Sequence, residues 1–224
     1  WSVFDGQRIG VCGLVGSGRT ESFKCVAGII KRDLMHGGEV ILNDKPVRYF
    51  VPASAVRDGI AYVTEDRKLE GFFETKSIAD NIYLGLLAKI RSARTFVSRQ
   101  EADKAGEHWI KRLNIRAIGK EVKAIELSGG NQQKVVIAKS LIQEPELIIF
   151  DEPTRGVDVG AIAEIHQLIN QLADEGKAVV VISSYLPEIM SLSDRILVQS
   201  MGKVVEEYSA FDATEEKIMY AALH

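Results

Sequence analysis

Five short apolar runs constrain this chain more than any other feature: "RIGVCGLV", "GIAYVT", "ELIIF", "KAVVVIS" and "RILVQS". Each is apolar almost throughout instead of alternating with polar residues. That is the pattern of a strand covered on both faces, as in a parallel sheet sandwiched by helices. The segment "VGAIAEIHQLINQLADEG" places Ile162, Ile165, Leu168, Ile169 and Leu172 at helical spacing and ends at Gly176, so it joins "ELIIF" to "KAVVVIS" as a strand–helix–strand unit. Alternation of this kind predicts an α/β fold with a mainly parallel sheet.

The middle of the chain reads differently. From about Lys76 to Gln143 strand patterns are scarce and helical ones dominate, which predicts a helical insertion between two halves of the sheet. "SRQE", Ser98 to Glu101, has capping-box spacing, and Ala102, Ala105, Trp109, Ile110 and Leu113 continue on one face, so Trp109 is expected in the core. Near the end, Met201-Gly202 marks a hairpin and "TEEKIMYAAL" a closing helix.

At 224 residues the chain suits a single domain, and 46% hydrophobic with 26% charged residues is ordinary for a protein with a real core. The net charge of -3 supplies no basic footprint, so nucleic acid is not an expected partner. No run of 18 apolar residues offers a membrane span, and Trp1 to Gly10 lacks the features of a signal peptide. Cys12 and Cys25 read as small packing residues in a reducing compartment, and His36, His108, His166 and His224 have no metal-ligand spacing.

Three motifs carry chemistry. "GLVGSGRTE", Gly13 to Glu21, follows an apolar run and opens a helical one. Its glycines Gly13, Gly16 and Gly18 let successive N–H groups face one anion, with the positive end of the following helix behind them. Ser17 lies within the loop, and the Thr20 hydroxyl suits Mg²⁺. "ELIIFDEP" delivers Asp151 and Glu152 at the end of a strand, where α/β sheets bind ligands; Asp151 is the expected Mg²⁺ ligand and Glu152 the group that polarises attacking water. "LSGGNQQK" puts Ser128, Gly129 and Gly130 at the start of an amphipathic helix, a second anion nest.

These motifs, in this order, resemble the nucleotide-binding domains of ATP-binding cassette (ABC) transporters. "GLVGSGRTE", "TEDRK", "LSGGNQQK", "DEPTRGVDVGA" and "ISSYLPE" resemble more closely the second cassette of bacterial monosaccharide importers of the ribose, galactose and xylose type. The resemblance implies the phosphate-loop NTPase fold of ABC ATPases: a mainly parallel sheet, a small antiparallel β part and a helical subdomain over approximately residues 70–143. It implies one domain over 1–224, lacking a first strand whose aromatic residue stacks on adenine. It also implies ATP and Mg²⁺ as cofactors, a partner cassette, transmembrane permease subunits and, indirectly, an extracytoplasmic sugar-binding protein, with the chain peripheral at the cytoplasmic face of the membrane.

In that family two cassettes pair head to tail. By resemblance this chain supplies Gly13, Gly16, Ser17, Gly18, Arg19, Thr20 and Glu21 with Asp151 and Glu152 to one site, and Ser128, Gly129 and Gly130 to the other. Three positions depart from the family's pattern. Arg19 stands where lysine is usual, a bulky fork in place of a compact ammonium. Glu65 stands at the position of the loop glutamine that senses Mg²⁺ and contacts membrane subunits. Ser184 stands at the position of the switch histidine. Losing one preorganised donor costs about 10²–10³ in rate, so the expectation is a site that binds ATP and hydrolyses it poorly, beside an intact family signature, "LSGGNQQ". Asp158 reads either as the loop linking the two sites or as a helix-capping acid, and Gln132 as a contact to the partner's nucleotide or a solvated first-turn residue. "EGFF" reads as exposed aromatics for docking on membrane subunits or as local core.

Two other functions fit parts of this pattern. A soluble ABC protein of chromosome maintenance needs a long coiled coil between phosphate loop and signature, but only about a hundred residues separate Thr20 from Leu127 and no sustained heptads appear. A ribosome-bound relative should be basic, which this chain is not. A non-catalytic nucleotide-binding regulatory module is the third reading.

Overall fold

The computed structural model describes residues 1–32, 38–90 and 98–224; His36 and part of the expected helical insertion lie outside them. Six strands form the main sheet: β1 (Arg8–Cys12), β4 (Ile60–Val63), β5 (Leu147–Asp151), β6 (Ala178–Ile182), β7 (Arg195–Ser200) and β8 (Lys203–Ser209), in the spatial order β4-β5-β6-β1-β7-β8. All neighbours pair parallel except β7 and β8, which turn at Met201-Gly202 into an antiparallel hairpin. A separate two-stranded antiparallel sheet joins β2 (Val40–Leu42) to β3 (Lys45–Val47) through Asn43 and Asp44, both at positive φ as a tight hairpin turn requires.

The unbroken apolar runs follow from burial on both faces. Along β5, Leu147 and Ile149 pack into one apolar cluster with Ile9, Val11, Val180 and Ile182, beneath α1 (Arg19–Val26) and α2 (Pro52–Arg57). Ile148 and Phe150 pack into the other. Side chains alternate across a strand, so a sheet covered by helices on both sides keeps its central strands apolar except at their ends. Cys12 is buried in the second cluster, and burial pushes its thiol up to about 12, while Cys25 is also free.

Between β4 and β5 the described residues hold three α-helices: α3 (Ile78–Lys89), α4 (Arg99–Arg112) and α5 (Gly129–Leu141). Ser98 caps α4, its hydroxyl accepting the Glu101 N–H, and Ala102, Trp109 and Leu113 are buried. These helices share one apolar cluster with a face of the main sheet, since Ile78, Ile82, Trp109 and Val135 pack with Ile148, Phe150 and Val179. Helix α5 corrects the expectation of an amphipathic segment. Residues from Gly130 through Ala138 are buried with the single exception of Asn131, because α5 passes beneath the helical layer against β4 and α3. "EGFF" divides: Phe72 is buried in the core, whereas Phe73 is 60% exposed. The remaining helices are α6 (Val159–Asp174), α7 (Leu186–Leu192) and α8 (Glu215–Leu223), the last capped by Thr214.

Candidate functional site

Strands β5, β6 and β1 are adjacent and parallel, so their carboxyl ends and the loops that follow converge. The loop after β1 runs from Gly13 to Gly18 and opens α1, with Gly18 at its N-terminus at φ 84°, a conformation that only glycine adopts cheaply. The loop is fastened to the far side of the sheet by the Gly202 N–H donating to the Ser17 carbonyl at 2.7 Å.

At the end of β5, Asp151 is fully buried. Its Oδ1 accepts from the Thr20 hydroxyl at 3.1 Å and its Oδ2 from the Tyr62 hydroxyl at 2.5 Å. Burial raises the Asp151 carboxyl above its usual range, and the neighbouring Glu152 charge adds to this, against the two donated bonds that lower it. Tyr62 is itself raised, by burial first and then by the Asp151 charge. Sequence reasoning placed Tyr62 only in a strand. Its role depends on β4 lying beside β5, in the register that pairs Tyr62 with Ile149, two residues before the acid.

Glu152 has φ 48°, and its N–H donates to the Ile182 carbonyl, which ties the acidic turn to the end of β6. Its Oε1 accepts the Ser184 backbone N–H at 2.7 Å and a hydrogen bond from Arg19 Nη2 at 3.3 Å. The same guanidinium donates through Nη1 to the Gly13 carbonyl at 2.5 Å and the Leu14 carbonyl at 3.2 Å. Arg19 thus folds back across its own loop onto Glu152, in a pair whose side chains are only 13% and 11% exposed. The structure brings Arg19, Thr20, Asp151, Glu152 and Ser184 together. Ser184 contributes its amide, while its residue is exposed. Glu21 is exposed in the first turn of α1. Behind Ser184, α7 is anchored by buried Glu188, which accepts from Thr154 Oγ1 at 2.7 Å and lies 2.9 Å from His166 Nε2. Burial works to raise Glu188, but hydrogen bonds from His166, Ser183 and Thr154 outweigh it and hold the carboxyl low.

The donor set fits a magnesium-bound polyphosphate. Ser17 Oγ and Arg19 Nε are buried polar atoms without a partner, an unfilled capacity inside a loop that opens a helix. Thr20 and Asp151 offer hard oxygens within one hydrogen bond of each other, and the described residues include no cluster of three or more His, Cys, Asp or Glu. A metal held here would rely on this hydroxyl, one carboxylate and the ligand's own phosphates, as Mg²⁺ does. When bound, it would supply charge neutralisation between phosphate oxygens.

Ser128, Gly129 and Gly130 lie elsewhere. Among the described residues no hydrogen bond or ion pair connects them to Gly13–Thr20. Ser128 and Gly130 border a small recess with Lys134, Asp158 and Glu164. The Asn131 amide donates to Ser128 Oγ at 2.9 Å, and buried Lys134 pairs with Glu164 at 2.5 Å. Asp158 caps α6, its Oδ1 accepting the Ala161 N–H at 3.0 Å. Gln132 is not a solvated first-turn residue: it is 6% exposed, with its amide bonded to Arg67 and to the Ile125 carbonyl. Glu65, at the position of the loop glutamine, is ion-paired with Arg155, four residues beyond Asp151.

Comparison with known proteins agrees with this geometry. The model of the family described as ABC transporter matches residues 1–155, which include both the phosphate loop and the Asp151–Glu152 turn. The chain belongs to the ABC transporter family. Among curated relatives, this ABC ATP-binding domain is 44% identical over 218 residues to the ribose import ATP-binding protein RbsA of Clostridium perfringens (strain 13 / Type A), covering 97% of the chain and 43% of the relative. It is also 44% identical over 225 residues to the xylose import ATP-binding protein XylG of Geobacillus kaustophilus (strain HTA426), covering 99% of the chain and 44% of the relative. The chain therefore spans less than half the length of the curated relatives it matches. Among solved structures, the dimeric bacterial ABC transporter cassette MJ0796 superimposes with a TM-score of 0.77 at 25% identity, over 94% of this chain and 88% of that one. A nucleotide-free ATP-binding cassette from an ABC transporter shares the fold with a TM-score of 0.79 at 22% identity, over all of this chain and 87% of that one. No described helix is long and apolar enough to cross a membrane.

Proposed function

We propose that this domain is one of a pair of cassettes energising import of a simple sugar, that its own phosphate loop binds ATP·Mg²⁺ but turns it over poorly, and that its signature completes the partner's site. The sugar-import reading rests on the relatives, two of which are named for ribose and xylose import. On this reading residues 70–143 form the inserted helical unit, and the domain works at the cytoplasmic face of the membrane against permease subunits.

The observation that carries the asymmetry is the double engagement of Arg19. Its guanidinium holds the Gly13 carbonyl and Glu152 together. With Glu152 Oε1 already accepting from Arg19 and from the Ser184 amide, that oxygen has little capacity left to accept a hydrogen bond from an attacking water. Ser184 cannot replace a histidine's charge. Backbone N–H groups, the α1 N-terminus, Thr20 and Asp151 remain to hold a nucleotide, so binding outlasts turnover.

Inactivating each half separately tests the assignment. In the assembled cassette pair, Glu152→Gln is expected to leave most ATP hydrolysis intact and Ser128→Arg to remove most of it. If Glu152→Gln abolishes activity and Ser128→Arg is tolerated, the strong and weak sites have been assigned the wrong way round. A regulatory module without turnover is supported only if neither substitution changes hydrolysis by the pair.

A further inference from the structure

Immediately after β4 the chain makes one π-helical turn, Arg67–Gly71, a rare backbone form found often at functional sites. Asp66 fastens it, with Oδ1 accepting the N–H groups of Lys68 and Leu69 at 3.1 and 3.0 Å. The turn presents Arg67, whose guanidinium hydrogen-bonds to neutral acceptors. Nη1 donates to the Arg155 carbonyl at 2.7 Å, Nη2 to the Gly156 carbonyl at 2.8 Å, and Nε to Oε1 of Gln132 at 3.4 Å. The first two acceptors belong to the turn that follows Glu152 and leads to Asp158. The third belongs to the first turn of α5, where the Gln132 N–H is bonded to the Ser128 carbonyl. The Glu65–Arg155 ion pair reinforces the link from the same segment.

The signature glycines are shaped to this clasp. A Cβ on Gly129 would lie 2.8 Å from the Gly156 carbonyl oxygen and 2.9 Å from Arg67 Nη2, and one on Gly130 would lie 2.3 Å from the Ala161 Cβ. The signature and the 155–161 segment therefore meet backbone to backbone, with the Arg67 fork keyed between them. Only a planar guanidinium reaches two successive carbonyls and a side-chain amide at once. A lysine's single ammonium cannot span that arrangement.

We propose that Arg67 is a positioning residue for the signature: it locks Ser128–Gly130 and the Arg155–Asp158 turn into one surface, so that both are presented together to a nucleotide held by a partner cassette. The presentation to a partner rests on the function proposed above, whereas the locking does not.

Hydrogen exchange on the 224-residue chain tests the locking directly. Arg67→Lys is expected to raise exchange by about tenfold or more at the hydrogen-bonded amides of both Gln132 and the Arg155–Val157 pair, with β5 and β6 unchanged as a check on folding. Loss of protection on one side alone, or on neither, overturns the proposal. If Arg67→Ala fails to fold, the lysine variant still decides. In the assembled pair, Arg67→Lys should lower kcat for ATP by about tenfold or more with KM little changed, as misplacement of a group acting only in the reacting complex does. A raised KM at constant kcat overturns the positioning role. Should the wild-type domain show no nucleotide-driven pairing with a partner cassette, the proposed function falls, and the exchange comparison alone then supports or overturns the locking by Arg67.

Discussion

Arg19 donates to the Gly13 carbonyl at 2.5 Å and to Glu152 at 3.3 Å, so the cation that opens helix α1 also occupies the acid of the strand-end turn. Both side chains are mostly buried, where such a pair is screened little by solvent. The substitution of arginine for lysine therefore does more than alter a phosphate contact. Its length and fork let it reach across to Glu152, the residue proposed above to polarise water.

Arg19→Lys follows from this relationship. A shorter point charge should release Glu152 and raise hydrolysis at this site by about tenfold, a partial gain because a single missing donor costs about 10²–10³ and Ser184 is unchanged. The measurement is ATP turnover in a pair whose other site has been inactivated. No gain, or a further fall, would show that the Arg19–Glu152 pair does not limit the reaction.

Tyr62→Phe removes the 2.5 Å bond to Asp151 Oδ2 while leaving Thr20 in place. Asp151 is already raised by burial, and Tyr62 is one of the groups that lower it. Without that bond the carboxyl rises further, and less of the charged form is present at acidic pH. Calorimetric titration of Mg²⁺-dependent nucleotide binding should show the acid limb displaced to higher pH, with stability reduced by about 1–2 kcal/mol. An unmoved acid limb would remove Asp151 from the metal assignment.

Asp194→Asn probes a structural pair. Arg8 holds Asp194 with Nη2 at 2.6 Å and its backbone N–H at 2.8 Å, locking the start of β1 to the entry of β7. Burial works to raise Asp194, but the Arg8 hydrogen bonds and charge outweigh it and the net direction is down. A folded pKa below the unfolded one stabilises fully above the ordinary carboxylate value of about 4 and is lost as pH falls through the lowered value. Because the pair is partly exposed, the cost at neutral pH is set at about 1 kcal/mol. Urea unfolding across pH should show the gap between variant and wild type closing in acid; a gap that widens there contradicts the pairing.

Trp109→Ala tests the core shared by the helical layer and the sheet. Trp109 is 6% exposed, with the Arg112 guanidinium 5.0 Å from its ring centre. A loss of about 3–5 kcal/mol is expected in urea unfolding, with nucleotide affinity retained wherever the variant is folded. A loss below about 1 kcal/mol would mean that the ring is not packed as described.

The apolar runs, the helix at Ile162–Leu172, the Ser98 cap, the Met201-Gly202 turn and the three motifs were all legible because each is a local matter: periodicity, capping and glycine placement act within a few residues. The amino-acid order by itself determined a parallel α/β sheet with a phosphate loop and two acids at strand ends. It did not show that Tyr62 would reach Asp151, that Arg155 would take up Glu65, or that Arg67 would clasp the signature to the 155–156 turn. Nor did it show that Gln132 faces inward or that α5 is buried nearly all round. Those relationships depend on which strands lie side by side and how deeply one helix passes beneath others. Only the folded chain decides them, because the contacts join residues far apart in sequence, and local propensity carries no record of distant neighbours.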